Sequence, residues 1–555
     1  MQSYSPPTMA TFPKSFLAAV VKQLLRGKSL IQALLAHWLT PQTVSGKPTE
    51  SAVECSKSGT TTPSALTIEE YLKEAEHLLL GPLLDDGLLE LSNALKAQFR
   101  DKLQTSMACM LPSYNHQLPG GHEVGQYLAV DVGGSTLRIA LVELRGRNAV
   151  GQESEIVRMS SFKIDNDIRN LEGMAFFDWM AERILDMVSQ DGQDPSRSMP
   201  MALAWSFPIE QTSLKGGRIH GMGKGFLAAE GLTGQDLGEV IESACTARGM
   251  NARLHVILND GGATLLSQAY IHPATRFGLI LGTGVNIAAY LPVSLIGKPK
   301  FGNRPREWWC EARDVIVNTE LGMFGQDVLS VTRWDGLLKQ GHPRPDFQPL
   351  EQMVSGYYLG EVVRFALIEA IQTTGLFGGV VPKSLDEPYS LKSETISAIE
   401  GSSIDLFISQ HPSSHTPSTS DLSALRSLAS FVSRRSAAII AACLHAVWSM
   451  RLESLGEEKE KRQMMKREPG EEQQEEDAEF SQRIEKETGL VRTMVAYNGS
   501  VIECYPGYLA MCQGYVDALV NGDDRSRSLE LVPAKESSLL GAGVALARAC
   551  DETSA

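Results

Sequence analysis

The pattern of apolar and polar positions divides most of the chain into short strand-like runs and longer helix-like runs. Apolar runs of strand length are found at 126–134, 135–144, 201–208, 255–260 and 278–291. Apolar residues recur at helical spacing in 175–190, 353–371 and 424–448. Because strands alternate with helices through both halves of the chain, the pattern predicts an α/β fold.

Two of these apolar runs turn on glycines. The first turn reads "DVGGST" (131–136) and the second "LGTGVN" (281–286), and a strand-like run stands on each side of both. This form predicts two β-hairpins and differs from the strand–turn–helix unit of dinucleotide-binding proteins. Glycine turns allow backbone N–H groups to approach a phosphate, and each of these turns also carries a hydroxyl. The candidate phosphate ligands are Gly133, Gly134, Ser135, Gly282, Thr283 and Gly284.

An acidic residue, Asp131, opens the first glycine turn. Magnesium prefers few carboxylates together with phosphate oxygens, so Asp131 is a candidate to hold Mg²⁺ through water. The alternative is that Asp131 only caps the turn, as aspartates often do. A pair of such turns, far apart in sequence, predicts a polyphosphate held between two domains.

Composition narrows the class of protein. The chain has 555 residues, which exceeds what one core usually serves, so two or more domains are expected. It is 43% hydrophobic and 21% charged, as soluble globular proteins are, and its net charge of −15 argues against a nucleic-acid binder. Eight cysteines show no CxxC spacing, so no zinc site or disulfide framework is predicted, and a reducing compartment is expected.

The N-terminal region differs from the rest of the chain. Residues 1–49 contain no Asp or Glu, and residues 16–39 read as a basic amphipathic helix. We expect a leader and a Ser/Thr-rich linker over 1–66, with the leader as a candidate for membrane contact or organelle targeting. The alternative is an ordinary surface-packed helix. The expected location is the cytoplasm, with mitochondria as the organelle the leader would contact.

A second composition break covers 456–487, where charged residues dominate. Such a stretch has little to bury, so it is predicted to be a solvated insertion, partly helical or disordered.

Six segments together resemble the eukaryotic hexokinase family. In chain order they are "YLAVDVGGSTLRIALVEL", "SFPIEQTSLKGGRIHGMGKGF", "LNDGGATLL", "GLILGTGVNIAAY", "VNTELGMFG" and "LEQMVSGYYLGEVVR". The resemblance implies the actin-like fold, a duplicated ribonuclease-H-like unit. It also implies a small domain at 67–272 and a large domain at 273–550, closing over a hexose with ATP and Mg²⁺ across the cleft.

The resemblance also implies roles for individual residues. Asp260 matches the family's catalytic base, and Lys224 and Arg138 match groups that support the reacting phosphate or sugar. Without the resemblance, Asp260 reads as a strand-terminating Asx turn. The matched hexose ligands are Ser206, Lys224, Asn259, Asp260, Asn286, Glu320 and Glu351. Near the C-terminus, Gly541 and Gly543 match the family's nucleotide-site glycines.

Several positions depart from the family pattern. Gly223 and Gly261 stand where the family has threonine, Leu321 replaces a tryptophan, and the segment 161–173 lacks the family's "IP". Near the C-terminus, Asn498 replaces an aspartate, and Leu539 and Leu540 replace Gly-Ser. Each lost hydrogen bond to a charged group costs about 1.5–3 kcal/mol.

Two functions therefore stay open: an ATP-dependent hexose kinase, and a hexokinase-like regulatory protein that binds sugar but transfers phosphate weakly. Another ATPase of the actin-like fold is a third reading, because fold alone does not fix chemistry.

Overall fold

The computed structural model describes residues 66–189, 194, 196–222, 225–465 and 471–554. The predicted leader, most of the linker and the predicted sugar ligand Lys224 lie outside these residues. The thirteen strands found within them are β1 (Leu111–Pro112), β2 (Val124–Val132), β3 (Thr136–Arg145), β4 (Ser154–Lys163), β5 (Met199–Trp205), β6 (Ile209–Gln211), β7 (Gly217–Ile219), β8 (Ala252–Leu258), β9 (Thr275–Leu281), β10 (Val285–Pro292), β11 (Asp314–Asn318), β12 (Arg492–Asn498) and β13 (Ser528–Pro533).

The α-helices of the described residues precede, connect and follow these strands. They are α1 (Ile68–Leu80), α2 (Gly87–Thr105), α3 (Asn166–Arg169), α4 (Met174–Ser189), α5 (Leu237–Ala247), α6 (Asp260–Ile271), α7 (Arg306–Glu311), α8 (Arg333–Gly341), α9 (Pro349–Val354), α10 (Gly356–Thr374), α11 (Ser393–Glu400), α12 (Asp405–Gln410), α13 (Thr419–Met465), α14 (Glu471–Thr488), α15 (Ser500–Cys504), α16 (Tyr508–Asp523) and α17 (Ser537–Ser554).

Two mixed sheets repeat one strand pattern. The first sheet has the order β4-β3-β2-β5-β8, and the second has the order β1-β11-β10-β9-β12-β13. In each sheet three strands form an antiparallel meander, and two later strands extend it in parallel. Apart from the added β1, the two sheets therefore have the same topology. The α/β class, the two glycine-turn hairpins and the duplicated unit expected from the sequence are confirmed.

Two helices, α6 and α17, fill the space between the sheets. Their buried residues form one cluster with Ala129 and Ala140 of the first sheet and with Ala288 of the second. Small side chains allow backbones to approach closely, and Gly278 of β9 shows how closely: a Cβ there would lie 2.4 Å from the Gly261 carbonyl oxygen of α6. The residues at the start of α6 are therefore held against both sheets.

Each sheet packs against at least one helix that is distant in the chain from most of its strands. Helices α1 and α2 pack into the core of the second sheet, which later segments otherwise form. Helix α17, near the other end of the chain, packs on the first sheet. The predicted boundary at residues 272 and 273 falls between α6 and β9. The division into small and large domains stays a prediction, and these crossings are features that the sequence pattern did not indicate.

The long helix α13 lies at the centre of the second core. A stretch of it, Thr419–Lys461, is long and apolar enough to cross a membrane by length and composition, because it contains an 18-residue window with a mean hydropathy of 1.3. The rest of the protein buries 78% of that window, which is what the central helix of a globular core shows as well.

The charged segment 456–487 forms the end of α13 and most of α14 where the structure describes it. The C-terminal end of this segment is partly buried, whereas a solvated surface was expected. Glu487 is only 7% exposed and accepts hydrogen bonds from Arg276 (2.7 and 2.8 Å) and Arg451 (2.8 Å). Arg483 of α14 also pairs with Asp314 of β11. These buried ion pairs attach the charged hairpin to the second sheet, which composition alone could not indicate.

The Glu487 cluster gives a prediction for stability against pH. Glu487→Gln should lower the free energy of unfolding by about 3–5 kcal/mol near pH 7, because two buried arginines lose their counter-charge. Hydrogen bonds and the charges of Arg276 and Arg451 overcome burial and lower the pKa of Glu487 from 4.5 to about 2. A lowered carboxyl pKa stabilises the fold above the unfolded value, and this stabilisation is lost as pH falls from about 4.5 towards 2.

Urea unfolding of wild type and Glu487→Gln at several pH values would measure this difference. It should be largest near neutrality and shrink below pH ~4.5. Glu485→Gln, at an exposed position of the same helix, is the matched control and should change stability by less than about 0.5 kcal/mol. An equal loss in both variants would contradict the assigned role of the buried pairs.

Candidate functional site

One edge of the first sheet gathers several predicted ligands. Strands β2, β5 and β8 run parallel, so the residues that follow them lie at the same edge. The first glycine turn (133–135) follows β2, Ser206 follows β5, and Asn259 and Asp260 follow β8. The Ser206 backbone N–H donates to the carbonyl of Val132 at 3.2 Å, which places Ser206 beside the first turn.

Asp260 is the first residue of helix α6. Strand β8 ends two residues earlier, so the position that reads as a strand-terminating turn in the sequence is in fact the start of a helix. The Asx role falls on Asn259, whose Oδ1 accepts the Gly262 N–H at 2.8 Å and caps the helix. The Asp260 carboxylate accepts the Gly261 N–H at 2.8 Å, and the helix dipole favours a negative charge at this position.

The two glycines after Asp260 have a packing reason. A Cβ at Gly261 would lie 3.3 Å from the Cβ of Ala288, which is tighter than an ordinary contact. A Cβ at Gly262 would lie 2.8 Å from Oδ1 of Asn259, the atom that caps the helix. The missing hydroxyl at Gly261 therefore accompanies the close approach of α6 to β10.

Asn259 has one polar atom left over. Its Oδ1 is committed to the helix cap, while its Nδ2 is enclosed and has no hydrogen-bond partner within the described ranges. A buried donor without a partner costs free energy, so such groups usually mark strain or the place of a ligand. The Asn259 amide is consistent with a donor to a sugar hydroxyl.

A chain of amides and a carboxylate forms the opposite side of the site. The Asn286 side chain donates to Oδ1 of Asn318 at 2.7 Å, and Asn318 in turn donates to Glu320 at 2.8 Å. Glu320 has a left-handed backbone (φ 53°), a strained conformation for a residue with a Cβ. Such strain persists where neighbours fix a side chain in place, and it is common at functional sites.

Three carboxylates share one electrostatic environment. Burial raises the pKa of Glu320, with a further rise from the charge of Asp260 and an opposing effect of Asn318. Burial also raises the pKa of Asp131, which is 5% exposed; Arg138 opposes this rise, and Asp260 adds to it. The charge of Asp260 therefore acts on both Glu320, which follows β11 of the second sheet, and Asp131, which lies in β2 of the first.

The second glycine turn is fixed by Glu351 and by helix α10. Glu351 Oε2 accepts the Val285 N–H at 3.0 Å, and a Cβ at Gly284 would lie 2.9 Å from the same oxygen. The Gly282 carbonyl accepts the Gly356 N–H at the start of α10, at 2.8 Å. Gly282 is buried, whereas Thr283 is exposed and can meet a ligand.

The first glycine turn carries an ion-pair chain. Asp131 and Arg138 face each other across the hairpin, and Arg138 donates from Nε (3.0 Å) and Nη2 to one oxygen of Asp131. Its Nη1 donates to Glu536 at 2.8 Å, just before α17. The Gly133 N–H is used within the turn by Thr136, while Ser135 is exposed.

The structure gives Gly541 and Gly543 a packing role inside α17. A Cβ at Gly541 would lie 1.9 Å from the carbonyl oxygen of Ala263, and one at Gly543 would lie 2.8 Å from Val142. Leu539 is fully buried in the same cluster, and Leu540 is half-buried against it. Packing accounts for both glycines without a nucleotide, and their assignment as nucleotide ligands stays a prediction.

Among the described residues, side chains alone do not form a metal centre. The search for a group of three His, Cys, Asp or Glu side chains that could hold an ion covers the described residues only, and it finds none among them. A carboxylate beside exposed turn hydroxyls suits magnesium that is bound mainly by phosphate and water. Asp131 is one such group, although its Oδ2 is already used by Arg138.

The structure thus brings most predicted ligands towards one region between the sheets. Contacts link Asn286 to Glu320 through Asn318, and Glu351 to the second glycine turn; electrostatic coupling links Asp260 to both sheets. Gly541 and Gly543 lie in a helix–helix contact, and Lys224 lies outside the described residues. Sequence reasoning missed Asn318, although an amide two residues before Glu320 in "VNTELG" was a usable signal.

Family models and curated relatives show which proteins this chain is similar to. Two models, each described as hexokinase, match residues 82–270 and 276–548. Hexokinase-5 of rice is 26% identical over 506 residues, which covers 86% of this chain and 89% of the relative. Hexokinase-1 of tobacco is 30% identical over 329 residues; this match spans 58% of the chain and 62% of the relative's length.

The chain belongs to the hexokinase family. A solved hexokinase of Schistosoma mansoni, complexed with glucose, has a TM-score of 0.67 and 23% identity, covering 87% of this chain and all of that one. The actin-like fold expected from the hexokinase resemblance is therefore confirmed. The two hexokinase models meet between residues 270 and 276, where the chain passes from α6 to β9.

Proposed function

We propose that the protein transfers the γ-phosphoryl group of ATP to the 6-hydroxyl of a hexose such as glucose, with Asp260 as the base. One observation carries the proposal: Asp260 begins α6, the helix that packs against both sheets, and its charge adds to the raised pKa of Glu320 and of Asp131. A base in this position can meet a sugar hydroxyl held by ligands from both sheets and a phosphate held at the glycine turns.

Each proposed role follows from the local contacts. Ser206, Asn259, Asn286, Glu320 and Glu351 would bind the hydroxyls of the hexose, together with Lys224. The Asp260 carboxylate would accept the proton of the sugar 6-hydroxyl. The 6-oxygen would form a bond to the γ-phosphorus while the bond between that phosphorus and the oxygen of the leaving ADP breaks. Magnesium, when bound, would neutralise charge on the phosphates, and Asp131 would hold it through water.

Hexokinase relatives support sugar phosphorylation in general. The rice and tobacco matches are 26–30% identical to this chain, so the level of its activity is proposed and is not taken from these relatives. The exposed hydroxyls of Ser135 and Thr283, one on each glycine turn, suit contacts to phosphate oxygens.

A second candidate is a sugar-binding regulatory protein with weak transfer. The observation that favours it is the engagement of Arg138 by Asp131 and Glu536, which occupies the guanidinium that a phosphate would use. The buried Leu539 adds bulk where the family has glycine.

A coupled phosphorylation assay distinguishes the candidates. With ATP and Mg²⁺, glucose, fructose and mannose are each offered to the purified full-length chain, and hexose 6-phosphate formation is measured. We expect turnover with at least one hexose. A hexose should also stabilise the fold by about 2.7 kcal/mol at a hundredfold excess over its Kd.

The outcomes have different meanings. Stabilisation by sugar without product supports the regulatory candidate and overturns the kinase. The absence of both effects with every hexose would contradict the sugar site itself. Glu90→Gln, an exposed substitution on α2, is a control that should leave turnover unchanged.

A further inference from the structure

Residues 164–173, called here the bridge segment, connect two loops of the first half of the chain. The segment follows β4, contains α3 and reads "IDNDIRNLEG". It lies where the chain departs from the family pattern, and none of its residues has a role in the proposed reaction. Its hydrogen bonds run in two directions.

On one side the bridge segment holds the first glycine turn. The Ile164 N–H donates to the carbonyl of Ser135 at 2.8 Å. The Arg169 side chain donates from Nη2 to the carbonyl of Gly134 at 3.0 Å. Two consecutive carbonyls of the turn are therefore fixed by this segment.

On the other side the bridge segment holds the loop that follows Lys224. The Leu227 N–H donates to the carbonyl of Arg169 at 2.9 Å, and the Gly173 N–H donates to the carbonyl of Leu227 at 3.4 Å. The Arg169 guanidinium also lies 5.8 Å from the ring centroid of Phe226. Leu227 stands three residues after the predicted sugar ligand Lys224.

Arg169 takes part in both sets of contacts. Its backbone carbonyl accepts the Leu227 N–H, and its side chain donates to the glycine turn. Asp165 caps the single turn of α3 by accepting the Asp167 and Ile168 N–H groups, which fixes the position of Arg169. The Nε of Arg169 is enclosed and has no hydrogen-bond partner among the described residues. The bond of the guanidinium to Gly134 is made by Nη2.

We propose that Arg169 is a positioning residue that couples sugar binding to nucleotide binding. The inference rests on the proposed function, because it takes Lys224, three residues before Leu227 in the chain, as a sugar ligand and the first glycine turn as a phosphate contact. Sugar bound at Lys224 then acts on the turn through Leu227 and Arg169. By linkage, nucleotide at the turn then raises the affinity for sugar by the same factor.

Binding measurements on the full-length chain test this coupling without relying on turnover. The Kd of a non-hydrolysable ATP analogue with Mg²⁺ is measured with and without saturating glucose. In wild type we expect glucose to tighten the analogue by about fivefold or more, the lower end of usual coupling factors. In Arg169→Met this factor should fall below about twofold, while each ligand alone keeps its Kd within about threefold.

Two further variants separate positioning from general damage. Arg169→Lys keeps the charge and one donor, so its coupling should lie between those of wild type and Arg169→Met. Arg183→Met removes a partly exposed arginine of α4 that pairs with Glu182 and Asp186, and it should leave the coupling at the wild-type value. If Arg169→Met does not fold, Arg169→Lys carries the test, and a wild-type coupling in it overturns the proposal.

The results for the coupling and for the reaction are independent. Strong coupling in wild type that survives in Arg169→Met overturns the role of Arg169 and leaves the kinase untouched. Coupling that is lost in Arg169→Met supports the role, even if no hexose 6-phosphate is formed. Wild type that binds glucose and the analogue without any coupling also overturns the inference, and wild type that binds neither contradicts it together with the proposed sites.

Discussion

Asp260→Asn should lower kcat for hexose phosphorylation by about 10²–10⁴-fold, the usual contribution of a positioned general base. The amide keeps the size of the side chain and can still accept the Gly261 N–H, so helix α6 should keep its start. What it loses is the ability to take a proton. The coupled assay measures kcat and KM, and we expect KM for the sugar to change much less than kcat.

The control for this prediction is sugar binding in the same variant. Glucose should still raise the melting temperature of Asp260→Asn, because the other ligands remain. Asp346→Asn, at a side chain that is 74% exposed, should keep wild-type kcat. A loss of less than about fivefold in Asp260→Asn would remove Asp260 from the role of base.

Gly541→Ala should destabilise the fold by about 3 kcal/mol, at the upper end of overpacking effects. Its new Cβ would lie 1.9 Å from the backbone carbonyl of Ala263, which cannot rotate away as a side chain could. Helix α17 must therefore move from α6, which outweighs the gain of about 1 kcal/mol in helix propensity. Because α6 begins at Asp260, turnover should fall as well.

Gly514→Ala is the matched control. Gly514 lies in helix α16. Apart from its chain neighbours and the nearby backbone of its own helix, none of the described residues has a heavy atom within 4 Å of the place that a Cβ would take there. This variant should therefore gain about 0.5–1 kcal/mol. Urea unfolding measures both changes. If Gly541→Ala kept full stability and lost only nucleotide affinity, the packing role would be wrong and the nucleotide role would be favoured.

The hairpins and their ligands were within reach of the sequence. A glycine turn between two apolar runs predicts a hairpin, and its centre between Gly134 and Ser135 pairs Asp131 with Arg138 by counting outwards. The Asp260 region was harder to interpret. Glycines are poor helix formers, so "NDGG" looked like a turn, although Asn259 at the first position is a good helix cap.

Long-range packing explains what the sequence could not supply. Gly541 is required by Ala263, and Gly261 relieves a tight contact with Ala288; both neighbours are distant in the chain. Asn498 departs from the family's aspartate, yet its amide donates to the Ala534 carbonyl at 2.8 Å, a bond that an ionised aspartate cannot make. These departures are therefore compatible with a well-packed fold.

The sequence did not indicate the buried ion pairs either. Glu487 stands among many charges in a segment whose composition is typical of solvated surface. Only the structure shows that Arg276 and Arg451 enclose it. Composition averages over a segment, whereas burial is decided residue by residue.

The placement of α17 on the first sheet has a consequence for biosynthesis. Val142 of β3 meets Gly543 only after some four hundred further residues have been made, so this face of the sheet lacks its cover during most of translation. At usual ribosomal rates of about 5–20 residues per second, that interval is about 20–80 seconds. The nascent first half thus exposes an alanine- and valine-lined surface on which a chaperone could act.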